Sequence, residues 1–123
     1  MGNCAHTDAY IQIAFTVVSD ARDKGNIIPI PTGMDFVRQL KPVQFNWKDR
    51  NTNIIRDSKP RYGFLAQDIL EIENLPRVLV DDEDPENLKL RESMLMPVMV
   101  QAIKDLSVEV ESLKLQVEAL TNK

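Results

Sequence analysis

Six consecutive residues, Ser19-Asp20-Ala21-Arg22-Asp23-Lys24, hold the groups needed for hydroxyl-based acyl chemistry. A serine attacks a carbonyl only if a base takes its proton, and a neutral lysine amine serves as that base in Ser-Lys hydrolases. Lys24 follows Ser19 by five positions, with acids and an arginine between them. The same hexapeptide also reads as a polar turn, since both residue types are common on surfaces. A solvated lysine, with a pKa of about 10.4, is protonated at pH 7. The base role therefore requires burial, or a neighbouring cation such as Arg22, to disfavour the charged form.

Other chemistry-bearing residues are weaker candidates. Cys4 and His6 lie close in sequence but have no third member to orient them. Asp81-Asp82-Glu83-Asp84 resembles a cation loop but lacks the glycine at the sixth position of an EF-hand, and reads as a solvated turn. No metal and no cofactor are expected. Trp47 reads as a core residue.

Composition limits the partners. The chain has 123 residues and a net charge of −4, which suits a single domain with a tail and argues against nucleic acid, whose binders carry a basic face. No apolar run approaches the roughly 20 residues of a membrane span. Residues 9–18 are apolar but too short to span, and nothing before them has the basic start of a signal peptide. The single cysteine, Cys4, permits no intrachain disulfide and fits a reducing cytoplasm.

The elements that must position Ser19 and Lys24 follow from periodicity. Residues 10–18 are β-rich and read as a strand. Gly25-Asn26 is a turn, and Ile27 to Pro31 is extended because each proline disfavours helix in the residue before it. Thr32 opens a short helix as its cap, with Asp35 in capping-box position and Met34, Val37 and Leu40 on its apolar face. Val43, Phe45 and Trp47 alternate with polar residues as a half-buried strand. Asp49 to Pro60 is a long polar connection, Arg61 to Leu65 a second strand, and Ala66 to Glu73 a helix with Ile69, Leu70 and Ile72 inward. Val78 to Val80 and Leu88 to Leu90 are further strands. The fold class is α+β: a small antiparallel sheet with short helices and a long C-terminal coiled-coil helix.

That last helix begins near Ser93. Met96, Met99, Ile103, Leu106, Val110, Leu113, Val117 and Leu120 are spaced alternately three and four apart, which are heptad a and d positions. An amphipathic helix lying on its own domain shows a broader stripe; Val108 and Leu115 offer one at position f. Glu109 at g and Lys114 at the following e can pair between parallel chains. β-branched a residues with leucine at d lean toward two strands. Pro97 requires the helix to start there or to kink.

Four segments carry a resemblance: Ser19 to Lys24; Gly33-Met34-Asp35-Phe36-Val37-Arg38-Gln39-Leu40-Lys41-Pro42-Val43-Gln44-Phe45-Asn46-Trp47-Lys48; Tyr62-Gly63-Phe64-Leu65-Ala66-Gln67-Asp68; and Leu95 to Leu106. In this order and spacing they resemble the peptidase S74 family, the intramolecular chaperone domains at the C-terminus of bacteriophage tail fibres, tailspikes of the endosialidase type and neck appendages. The resemblance covers roughly residues 19–121.

The resemblance implies a chain that cuts itself between Val18 and Ser19, with Ser19 as nucleophile and Lys24 as base, in a single turnover in cis. Asp20 and Arg22 would support the pair. Gly63 and Gln67 match the family's Gly-x-x-Ala-Gln motif and would donate to the oxyanion; without the resemblance they read as a strand bulge and a surface glutamine. Many members carry a histidine two residues before that glycine, where this chain has Arg61. The resemblance also implies a homotrimer, in preference to the two-stranded tendency of the heptads. Its seam is Met99, Ile103, Leu106, Val110, Leu113, Val117 and Leu120.

The expected organisation is residues 1–18 as the end of a preceding fibre, 19–92 as the chaperone and autoprotease domain, and 93–123 as the trimerisation helix. The client is the preceding β-rich fibre segment of the same polypeptide. The expected location is the host cytoplasm during virion assembly, with the parent protein in the virion tail or neck appendage. The alternative is a structural trimerisation tip or receptor-binding end of a phage fibre that never cuts.

Overall fold

A computed structural model of the chain describes residues 9–74 and 76–122. Two compact units divide it: one formed by residues up to Pro29 together with Gln44–Gly63, the other by Ile30–Val43 together with Phe64–Lys123. The expected α+β class holds, with two small two-stranded sheets in place of one.

In the first unit, residues 9–18 form no strand and are exposed. The β-rich run that predicted one is present, but a strand is stable only when its backbone N–H and C=O groups find a partner, and none of the described strands pairs with it. A 3-10 turn follows at Ala21–Asp23. Asn26 takes a positive φ of 52°, which makes the expected turn. Strand β1, Val43–Phe45, pairs with β2, Arg61–Gly63. The connection is tighter than its polar sequence suggested. The hairpin continues through an antiparallel bridge between Lys48 and Ile55 and the Arg56 N–H to Trp47 C=O bond of 2.8 Å. Asp49 closes the turn by accepting the Asn51 and Thr52 amides, and Asn53 turns the chain at φ 61°. Those two amide bonds, Thr52's first, hold the Asp49 carboxyl below its usual range. Trp47 is not core: it is 45% exposed and meets Phe45 edge to face at 5.2 Å.

The second unit holds the hydrophobic core. Ile69, on helix α2 (Ala66–Ile72), packs with Leu79, Val80 and Leu95, and Phe36 and Leu40 close over them. Ile69, Val80 and Leu95 are at most 1% exposed. Strands β3, Val80–Asp81, and β4, Lys89–Leu90, pair antiparallel, with Val80 opposite Leu90. The approach to β3 is held by one side chain. The Glu73 carboxylate accepts the amides of Val78, Leu79 and Val80 at 3.1, 2.7 and 3.2 Å. An ionised acceptor bonded to three donors makes up for the ladder this short strand lacks.

Helix α1 is Met34–Val37, and its start corrects the expected capping box. Gly33 is the N-cap, and neither Thr32 nor Asp35 caps it. The cap arrives from 71 residues away: Asp105 Oδ2 accepts the Met34 N–H at 3.1 Å, while Oδ1 accepts the Gln101 side-chain amide at 2.8 Å. A Cβ at position 33 would collide with Asp105 Oδ2, so this close approach requires glycine.

Helix α3, Leu95–Thr121, is preceded by a 3-10 turn at Glu92–Met94. Pro97 falls in its first turn, where the missing N–H costs nothing, so the helix neither starts at it nor breaks. Leu95, Val98 and Ala102 are its buried face. Val108 and Leu115, the strip at position f, are exposed. All eight heptad side chains are exposed, from Met99 at 41% to Leu120 at 68%.

The Asp105 junction generates a pH test. The Gln101 amide, then the Met34 amide, hold the Asp105 carboxyl below its usual range. A depressed carboxyl contributes stability that is present above the unfolded value of about 3.9 and lost as pH falls through the folded one. Asp105→Ala should therefore melt below the wild type at pH 7, and the gap should close in strong acid. Thermal melts of both chains across that range check it; a gap that is constant in pH would remove the carboxylate from the α1–α3 tie.

Candidate functional site

The local chain path brings Ser19 and Lys24 together. Asp20 sits in extended backbone as N-cap of the 3-10 turn, and its Oδ1 accepts the Arg22 amide at 2.9 Å. The turn closes through Asp23 N–H to Asp20 C=O at 3.0 Å and Lys24 N–H to Ala21 C=O at 3.2 Å. One tight turn reverses the chain enough for the lysine side chain to reach back. Lys24 Nζ donates to Ser19 Oγ at 2.7 Å. That length is within the range for direct proton transfer between a nucleophile and its base.

Charge around the pair is balanced locally. The Arg22 guanidinium lies on the Asp20 carboxylate, with Nη2 to Oδ2 at 2.7 Å and Nε to Oδ1 at 3.1 Å. Arg22's side chain, then its amide, hold the Asp20 carboxyl below its usual range, and Asp20 in turn raises the Arg22 guanidinium. Arg22 was one of the two groups expected to disfavour a charged lysine. With its charge met by Asp20, burial is the remaining means. Ser19 and Lys24 are both exposed in the single chain.

The other expected site residues fall as follows. Val18 is exposed in the irregular segment ahead of the turn. Gly63 ends β2, half-buried, in the same unit as Ser19. Gln67 is exposed in the first turn of α2 and belongs to the second unit. Arg61, expected at a position where many family members carry a histidine, is tied to Asp57 by Nη2 to Oδ2 at 2.6 Å, with side chains 22% and 19% exposed. Asp57 is also bound into the hairpin, its backbone C=O accepting from Asn46 Nδ2 and its Oδ1 from the Lys59 amide. Arg61 therefore serves the hairpin, a role its sequence position alone did not disclose. Cys4 and His6 lie outside the described residues. Among the described residues, no cluster of three metal-ligating side chains is present, and no helix is long and apolar enough to cross a membrane.

The family model of peptidase S74, described as chaperone of endosialidase, matches residues 19–79. Through these residues the chain belongs to the peptidase S74 family. The match opens on Ser19 and takes in Lys24, Arg61, Gly63 and Gln67, the residues singled out above. S74 membership gives the chain a general role as an intramolecular chaperone. No curated protein matches the chain.

The Asp20–Arg22 contact yields a direct measurement. The Asp20 carboxyl should titrate with a midpoint below the ordinary value of about 3.9. In Arg22→Ala the midpoint should move back up toward that value. Carbon-detected NMR of the side-chain carboxyls across pH reads both; an unmoved midpoint would mean the pair does not persist in solution.

Proposed function

We propose that this chain is a C-terminal intramolecular chaperone that joins three copies of a phage fibre or appendage protein, assists folding of the preceding β-rich segment, and then releases itself by cutting the Val18–Ser19 bond. The observation that carries this reading is the 2.7 Å contact between Lys24 Nζ and Ser19 Oγ, at the residue where the family match begins. Lys24 Nζ takes the hydroxyl proton as Ser19 Oγ bonds to the Val18 carbonyl carbon. Gly63, in the same unit as Ser19, is the donor proposed for the oxyanion. The carbon–nitrogen bond to Ser19 then breaks, and the nitrogen leaves as an amine carrying the proton from Lys24. Water hydrolyses the resulting ester, giving a Val18 carboxylate and a free Ser19 hydroxyl. Arg61 cannot act as a base, because guanidinium stays protonated.

Assembly is the step that activates the lysine in this reading. Both groups of the pair are exposed in one chain, and the charge of Arg22 is already met, so desolvation must come from the neighbouring copies. That order lets cutting follow folding. It also suits a β-rich client, whose non-local pairings form slowly and gain from a helix that raises the effective concentration of the strands. The site of action is the host cytoplasm during assembly, with the parent protein joining the virion tail or neck appendage.

Expressed chain should yield a product starting at Ser19, and Ser19→Ala should stay whole. Lys24→Met and Lys24→Arg should also stay whole, the first lacking an amine and the second unable to give up its proton. Intact mass and N-terminal sequencing decide this. A cut elsewhere, or normal cutting by the arginine variant, would remove Ser19 or Lys24 from these roles and favour the non-cleaving tip.

Leu106→Glu with Leu113→Glu places two carboxylates in an apolar seam, at a cost of about several kcal/mol each unless the coil opens. This chain should be monomeric by light scattering and uncut on the same samples. A monomer that cuts at the wild-type rate would break the coupling between assembly and cleavage.

A further inference from the structure

Helix α3 has four g positions, Leu95, Ala102, Glu109 and Gln116, and four e positions, Val100, Ser107, Lys114 and Thr121. Only Glu109 and Lys114 among them are charged. They are opposite in sign and five residues apart, the spacing that brings g of one helix beside e of a parallel neighbour. The structure adds what the heptads do not show: the g edge is not bare helix. Leu95 and Ala102 are buried under the chain's own globular unit, and α1 lies along this side, tied at Asp105 and again at Glu109. Arg38, following α1, reaches Glu109 at 3.5 Å and Asp35 at 3.6 Å.

Asp35, Arg38 and Glu109 thus alternate in sign and sum to −1 at the edge of the seam. On the opposite edge Val100 is 53% exposed, flanked by Met96 and Ile103, which are also exposed. A neighbour's e edge cannot meet Leu95 and Ala102, which are already covered; there it meets what covers them.

We propose that α1, with Arg38 and Glu109, forms a composite docking surface for the e edge of a second, parallel copy of this chain: Lys114 of the copy completes the Asp35–Arg38–Glu109 charge network, and Val100 of the copy rests against the globular unit. This deepens the assembly reading above and rests on it. The apolar seam supplies association, and the four-charge network selects parallel alignment. In an antiparallel pair, g edges face g edges, and the complementarity between Glu109 and Lys114 is lost.

Charge inversion tests it on the full chain, by sedimentation equilibrium at low and high salt. Lys114→Glu should weaken self-association roughly two- to fivefold per contact. Glu109→Lys with Lys114→Glu restores a pair between helices but sets a lysine against Arg38, and should recover little. Inverting all four, Asp35→Lys, Arg38→Glu, Glu109→Lys and Lys114→Glu, should recover wild-type association, and the differences should shrink in high salt. Circular dichroism on each variant checks that α3 remains folded. Full recovery in the double variant would exclude Arg38 and α1 from the surface. Unchanged association in Lys114→Glu would overturn the network while leaving the coil in place. A monomeric wild type would overturn the assembly reading itself.

Discussion

Asp105 accepts two amides at once, one from its own helix and one from the start of α1, and this junction determines which face of α3 remains uncovered. With α1 fixed there, Phe36 and Leu40 lie over the core formed by Ile69, Leu79, Val80 and Leu95. Leu95, Val98 and Ala102 are then committed to the chain's own unit. A 27-residue helix is about 40 Å long, far more than so small a core can cover. The heptad face, rotated away from the docked one, is left exposed by the described residues. Half-covering eight apolar side chains on association is worth roughly 1 kcal/mol each. An exposed ion pair contributes less than that, about 0–1 kcal/mol. Apolar contact therefore sets affinity in any assembly of α3, and the few charges set alignment.

The two faces of α3 bear on what was legible in the sequence. The heptads were legible because they recur seven residues apart over the whole helix. The docked face was not: it spans only Leu95, Val98 and Ala102, one of them a small residue that also suits a surface. The strip at Val108 and Leu115 stands out by hydropathy but is exposed. The cap of α1 was misplaced for a similar reason. Thr32 and Asp35 have the spacing of a capping box, and no local pattern announces a carboxylate arriving from 71 residues away. The Glu73 staple on Val78 to Val80 is equally invisible, since a glutamate after a helix is ordinary. Residues 10–18 show the converse. Their composition is strand-like, yet a strand is a property of a pair. The Ser19–Lys24 contact was legible because one 3-10 turn within the hexapeptide makes it.

The site is shallow, and for a reaction in cis this is no defect. An enzyme acting on separate substrate needs a concave pocket to hold it. In the cleavage proposed above, the Val18 carbonyl is covalently next to Ser19, so proximity would be supplied by the chain itself. What the local structure must still provide is the right neighbour for the hydroxyl, and the 3-10 turn provides it.

What it does not provide is a dry environment. Arg61 occupies the position at which many family members carry a histidine, and it is bound to Asp57 within the hairpin. That ion pair keeps its cation inside the β1–β2 connection, and guanidinium has no basic nitrogen to offer in any case. In the proposed cleavage, proton transfer would therefore be left to Ser19 and Lys24. A two-group relay depends entirely on the protonation state of its base. Arg22 is paired with Asp20, so in the proposed reaction the base would depend on water exclusion. In the proposed assembly, other copies of the chain would supply that exclusion.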